Sequence, residues 1–383
     1  MPRPTSIAAK EFTLKSEYGL PRMIPQLDRL RGLAILMVLL IHAEAAAPSA
    51  LIGMVNQGWA GVDLFFVLSG FLITGILWDT RDHAGYFKRF YGRRILRIWP
   101  PYTIVLVAAF CLLPLLKHSF GGWFREIPQE PLGVWAYLLM IQNFFGSALR
   151  KSPILVVTWS LAIEEQFYLI WPIVIRQGLR RMLLPCVSAG LVLAPLLRTW
   201  AMQRGISQIA IYTSPLTHGD GLLCGAAIAL WLRSAKPKRG TVLALGVFLL
   251  VVGLALFFPL RPFRVTSQYC SPLVFTAVAM ASSGLLLVAL VSENTGRLLH
   301  RFFFMNQWLA FLGFISYGLY LYHILIFRLG VSERLMTKLD AWHHPRLTYA
   351  IMVSCAFGLS MTIAWISRVT MERAALSKAV LFA

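Results

Sequence analysis

Charge is scarce in this sequence, and acid is scarcer than base. Asp, Glu, Lys and Arg make up 14% of the 383 residues, where soluble globular chains carry roughly 25%. Only 16 residues are acidic against 36 Lys plus Arg, a formal net charge of +20. Cysteine is sparse as well. The five cysteines (Cys111, Cys186, Cys224, Cys270 and Cys355) are scattered, with no CxxC or paired spacing. That argues against a disulfide framework and against a metal site, and no metal cofactor is expected. A signal peptide is also lacking, because residues 1–31 are polar and mixed and the first apolar run starts at Leu33.

What remains is apolar. Hydrophobic residues make up 58% of the chain, and mean hydropathy is +0.67. An interior of this size cannot hide that excess over the usual 45–50% or so. Disorder, a coiled coil and a water-soluble enzyme are excluded as the main reading. The fold class is all-α, a polytopic transmembrane helix bundle with the lipid bilayer as one of its solvents. The basic excess fits cytoplasmic loops better than a nucleic-acid surface, so no nucleic-acid partner is expected.

Apolar runs near 32–48, 58–78, 102–117, 159–176, 182–200, 216–232, 241–258, 272–291, 309–329 and 347–367 predict ten spans. An eleventh run, 133–146, is too short for a crossing and fits a re-entrant or interfacial helix. Arg29 and Arg31 precede the first run, and 43–57 has no Lys or Arg, so the N-terminus is placed in the cytoplasm. If 133–146 does not cross, Arg93–Arg97, Arg176–Arg181, Arg233–Arg239, Arg297–Arg301 and the C-terminal cations all fall inside. Lys117, Arg125, Arg261 and Arg264 then fall outside, so the assignment is a majority vote. The expected organisation is a cytoplasmic tail 1–25, a membrane domain 26–370 and a second cytoplasmic tail 371–383, with both termini inside.

Ionisable groups within spans are costly and mark candidate sites. Arg31 and His42 are eleven residues apart, about 16 Å along one helix and close to three turns, so both can face one interior channel. The plainer explanations are a snorkelling anchor and an intramembrane hydrogen bond. Asp63 lies early in the second span and needs a cation, which Arg31 or a histidine could supply. Ser69 and Gly70 allow close helix packing. Arg94 and Arg97 share a helix face next to Arg93 and suit a phosphate or pyrophosphate. Topology charge or lipid head-group contact is the bland alternative. Pro100 and Pro101 are expected to turn the chain into the next span. Glu164 and Glu165 are adjacent, so at most one faces a given site. His218 with Asp220, and Tyr317 and Tyr320 with His323, complete the set, with aromatic-belt placement the plain reading of the tyrosines. Parity puts Arg31, Arg93, Arg94 and Arg97 at the cytoplasmic side and His42, Asp63, Glu164, Asp220 and His323 in the outer half. Such a bundle suits a polyanionic donor entering from the cytosol and a proton transfer deeper in.

These blocks together resemble the acyltransferase-3 family of integral-membrane O-acyltransferases, from about Gln26 to Ile366. LDRLRGLAILMVLLIH is similar to the family's R-x10-H element, mapping onto Arg31 and His42. GVDLFFVLSGFLI, RRILRIWP, WSLAIEEQFYLIWP, GDGLLCGAAIA and ISYGLYLYHILI resemble its later blocks, and the aligned glutamate is Glu164. A C-terminal hydrolase-like domain that some members carry is absent, so single-domain members are the expected comparison. The resemblance implies transfer from acyl-CoA, foremost acetyl-CoA, to a sugar hydroxyl of a surface polysaccharide, lipopolysaccharide or other glycan or glycoside, in a bacterial inner membrane. His42 would act as general base, oriented by Glu164. Arg31, Arg93, Arg94 and Arg97 would bind the donor phosphates. Asp63, Asp220, Tyr320 and His323 would support the site or bind acceptor. A proton-coupled transporter using the same His, Asp and Glu residues is the alternative; no inverted repeat favours it.

Overall fold

Residues 25–42, 49–120, 129–260, 271–291, 306–330 and 345–378 are described in the computed structural model. The tail before Pro25, Arg125, Arg261, Arg264, Cys270 and the Arg297–Arg301 segment lie outside them. Every apolar run assigned to a span is mainly helical where it is described; the 216–232 run breaks at Gly219, and the 272–291 run begins with a turn at Pro272 and Leu273. The helices are α1 Pro25–His42, α2 Ala60–Asp79, α3 beginning with Tyr86–Val107, α4 Thr158–Gln177 and α5 Arg180–Gln203. They continue with α6 Asp220–Ala235, α7 Arg239–Leu260, α8 Val274–Val291, α9 Gln307–Gly330 and α10 beginning with Pro345–Ser367. In lipid a helix is the arrangement that pairs every backbone group within one segment.

Among the described residues, seven helices are long and apolar enough to cross a membrane, against the ten spans expected. The three that fall short are α1, α4 and α6. Asp28, Arg29 and Arg31 charge α1, Glu164 and Glu165 charge α4, and α6 has 16 residues. The shortfall thus coincides with three helices that carry candidate site residues. The 133–146 run is no crossing helix. It breaks into Val134–Leu138, a 3-10 turn Gln142–Phe145 and Gly146–Leu149. Asn143 ties it down by donating to the Thr213 carbonyl while Thr213 Oγ1 donates back to the Asn143 carbonyl, at 3.0 and 2.7 Å.

One expectation is corrected. Pro100 and Pro101 do not turn the chain. They lie inside α3, which runs on through a π turn, Ala108–Leu112, to Leu113–Phe120. The prolines remove the two ladder donors that would reach the Leu96 and Arg97 carbonyls. The next carbonyl, of Ile98, accepts from a neighbouring helix, Tyr317 Oη at 2.7 Å, so α9 packs on this turn. Residues 371–377, in the segment expected to be a cytoplasmic tail, are helical. They continue α10 through a π turn, Arg368–Glu372, into Arg373–Ser377, and Glu372 is only 4% exposed.

Ion pairs mark one end of the bundle. Arg233 at the end of α6 grips Asp79 at the end of α2 through two hydrogen bonds of 2.7 and 2.8 Å. Arg180 at the start of α5 meets Asp82 at 2.6 Å. The chain ends near 79–82, 176–180 and 233 therefore sit together, as the charge parity required. Close helix contacts complete the frame. A Cβ on Gly70 would meet the Leu222 carbonyl at 2.0 Å, and one on Gly32 the Leu309 carbonyl at 1.9 Å. Gly70 thus has the packing role expected of it, joining α2 to α6.

Candidate active site

The sequence candidates sort into three groups. The first is a histidine pair. His42 is the last residue of α1, and its ring meets that of His323 on α9 edge to face, with centroids 4.8 Å apart. The Nδ1 of His42 lies 2.8 Å from the Val38 carbonyl, and that of His323 lies 3.1 Å from the Leu319 carbonyl. A carbonyl can only accept, so each Nδ1 carries the proton and each neutral ring keeps its lone pair on Nε2. The Nε2 of fully buried His323 has no hydrogen-bond partner among the described residues. Tyr320, one turn earlier, shares a 2.6 Å hydrogen bond with Ser160 and donates at 2.8 Å to the Val157 carbonyl. Its ring centroid is 6.0 Å from that of His323.

The second group is a cluster of arginines and carboxylates. Arg94 lies over the rings of Phe90 and Tyr168, at 5.7 and 5.5 Å. Arg31 pairs with Asp28 at 3.0 Å on its own helix. Arg94, Arg31 and Arg97 are the cations that act on the charge of Glu164. Ser69 donates to Glu164 at 2.6 Å, so Ser69 is more than a small packing residue. Among the described residues no hydrogen bond joins Glu164 to His42. The imidazole of His42, for which Glu164 was the expected orienting partner, is instead held by the Val38 carbonyl of its own helix. Glu164 sits with the arginines rather than with the histidines. Arg94 and Arg97 make no hydrogen bond or ion pair among the described residues, and Arg97 is exposed. Arg93 stands next to them, half-buried on the same helix.

The third group is a buried scaffold. Asp63 accepts from His218 Nε2 at 3.0 Å, and His218 Nδ1 faces the Tyr212 carbonyl at 2.7 Å. Both imidazole nitrogens are engaged. The ring is enclosed by Phe275, Tyr212 and Trp159, with centroids at 4.3, 4.8 and 5.5 Å. Asp220 pairs with Arg198 at 3.0 Å. Arg198 is wholly buried in α5 and also donates to the carbonyls of Thr217 and Pro272 and to Thr276. The sequence reading passed over Arg198. It stands close to the end of an apolar run, where a cation looks like a boundary charge. Neither Asp63 nor Asp220 touches the histidine pair; each joins helices through one carboxylate oxygen, while Asp63 Oδ2 and Asp220 Oδ1 have no hydrogen-bond partner among the described residues.

The family model for the acyltransferase domain matches residues 24–369, nine-tenths of the chain. The chain belongs to the acyltransferase-3 family. Acyltransferase-3 relatives include peptidoglycan O-acetyltransferase OatA of Listeria monocytogenes, 28% identical over 84% of this chain and 52% of its own length. Another is putative peptidoglycan O-acetyltransferase YrhL of Bacillus subtilis, 29% identical over 87% of this chain and 53% of its own. A putative O-acetyltransferase of Staphylococcus aureus is 27% identical over 83% of this chain and 52% of its own. The chain therefore spans about half the length of these curated relatives, where single-domain members were expected. No solved structure matches. Membership in an acyltransferase family lends nothing to the transporter alternative.

Proposed function

We propose that this chain is an O-acyltransferase of the bacterial cytoplasmic membrane, moving an acetyl group from acetyl-CoA to a hydroxyl of a peptidoglycan-type glycan. The observation that carries this reading is the His42–His323 pair, two imidazoles with Nδ1 held by carbonyls and Nε2 left to take a proton. A sugar hydroxyl is a weak nucleophile near neutral pH and needs such a base. His42 Nε2 takes the hydroxyl proton as the oxygen attacks the thioester carbonyl. The tetrahedral intermediate collapses, the C–S bond breaks, and the imidazolium returns the proton to the departing thiolate. His323 packs the ring of His42 and is the base in reserve.

Arg94 and Arg97, without counter-ions of their own, receive the donor phosphates, with Arg31 and Arg93 adding positive field. Glu164, fixed by Ser69, spaces these cations and limits their mutual repulsion. Tyr320, braced by Ser160, forms the wall between the two groups. Asp63 and Asp220 serve as scaffold rather than in binding acceptor.

Radiolabelled acetyl-CoA in proteoliposomes tests the reading directly. Arg94→Ala and Arg97→Ala should each weaken acetyl-CoA binding by about ten- to a hundredfold, as for hydrogen bonds to a charged group. Lys should restore only part, for want of the planar fork. Normal binding and turnover in both Ala variants would leave these arginines as topology determinants only.

The same reading includes ten crossings with both termini in the cytoplasm. The shared helix ends near Asp79, Arg180 and Arg233 support it. Cysteine accessibility at positions 180 and 238 should report the cytoplasm at both. An exterior result at either would dismantle the parity.

A further inference from the structure

The last helix brings a fifth arginine to the cluster of Arg31, Arg93, Arg94 and Arg97. Arg368 opens the π turn of α10, and its guanidinium lies 4.9 Å over the Phe314 ring of α9. Glu372, one turn on, approaches Arg368 Nη1 at 3.4 Å through Oε2 while its Oε1 accepts from Ser367, also at 3.4 Å. Ser367 is held in turn by Tyr322 at 2.9 Å. These distances are long for charge-assisted bonds, which close to about 2.7–2.9 Å. Arg368 is thus steered by Glu372 but not saturated by it, and its buried Nε has no hydrogen-bond partner among the described residues. The π turn packs against α3, the helix of Arg94 and Arg97. Arg97 acts on the charges of both Arg368 and Glu372, and Asp28, the partner of Arg31, acts on Arg368. Cations from α1, α3 and α10 therefore face one region. A π turn set into an α-helix is frequently a functional feature.

We propose that Arg368 is a further phosphate-binding residue of the donor site, held in position by Glu372, and that it takes an anionic group of the donor separate from the one held by Arg94 and Arg97. This rests on the acyl-CoA reading above. Coenzyme A carries a diphosphate and a distinct ribose phosphate, so two anionic groups need two sets of cations. Arg94 and Arg97 share one helix face, and Arg368 comes from another helix.

The test uses the whole chain in proteoliposomes and two probes, acetyl-CoA and its analogue lacking the ribose phosphate. Arg368→Ala should raise the Kd for acetyl-CoA about tenfold or more and bring the two probes to equal affinity. Arg368→Lys should recover part of the loss. Glu372→Gln, which keeps the shape of the side chain, should raise KM for acetyl-CoA several-fold while leaving kcat at saturation unchanged. If Arg368→Ala does not fold, the Lys and Gln variants carry the same readout. Unchanged affinities in the Arg368 variants, with Arg94→Ala still impaired, would overturn this inference alone. A wild-type protein that neither binds nor uses acetyl-CoA would overturn the donor reading and this inference with it.

Discussion

His42→Ala should abolish acyl transfer while the protein stays folded and still binds acetyl-CoA. A positioned general base contributes roughly 10²–10⁴-fold, so the loss should span that range in kcat with little change in Kd. The structure predicts this split because His42 ends α1, away from the unpaired Arg94 and Arg97. Its only hydrogen bond among the described residues goes to Val38, on its own helix. Removing the ring therefore breaks no tie between helices beyond the edge contact with His323. A paired measurement reads the outcome: thermal shift by acetyl-CoA on one side and transfer of label on the other. A stable His42→Ala protein with near-normal turnover would hand the base role to His323, whose Nε2 is equally unencumbered.

Arg198→Ala should have the opposite profile, a collapse of stability ahead of any specific loss of catalysis. Guanidinium has five N–H donors. Here they meet the Pro272 and Thr217 carbonyls, Asp220 twice, and Thr276. Nothing is left over for a ligand, so Arg198 is a joint between α5, α6 and α8. Truncation strands a buried carboxylate, which costs about 3–5 kcal/mol. Thermal unfolding in detergent should show a large drop in Tm, and Arg198→Lys should recover part of it with three donors in place of five. Replacing Arg198 by Met together with Asp220 by Leu should be milder than Arg198→Ala, because no charge is then orphaned. An Arg198→Ala protein that melts with wild type and transfers acetyl groups poorly would place Arg198 in the site instead.

Much of this was legible in the chain. Apolar run length finds helices because lipid forces backbone pairing within a segment, and each of the ten assigned runs holds a helix, with a break at Gly219 that run length does not show. Run length failed at Pro100–Pro101, because it cannot see that Tyr317, more than two hundred positions later, donates to a carbonyl in that turn. Nor does it show that the polar segment RVTMER continues α10 as helix. Glu372 is buried by α9 residues that only the fold brings near. The site was legible as a list and not as a set of pairs. His42, Asp63, Glu164, Asp220 and His323 stand out because each is polar in an apolar run. Their partners, His218 for Asp63, Arg198 for Asp220 and Ser69 for Glu164, are set by which helices adjoin. Parity placed Glu164 beside the histidines on depth alone; helix adjacency puts it with the arginines.

The two imidazoles sit on α1 and α9, and those helices touch backbone to backbone near their other ends. Gly32 lies against Leu309, and Gly313 against Asp28, where an added Cβ would come within 1.9 and 1.7 Å of a carbonyl oxygen. The pair behaves as tweezers with a welded joint. From Gly32 to His42 the lever is ten residues, about 15 Å, so any wedge at the joint is carried to the tips as a wider gap between the rings. The separation of the histidines is thereby set by two residues that have no side chain at all. Adding one methyl group at Gly32 or Gly313 would detune the pair without altering either imidazole.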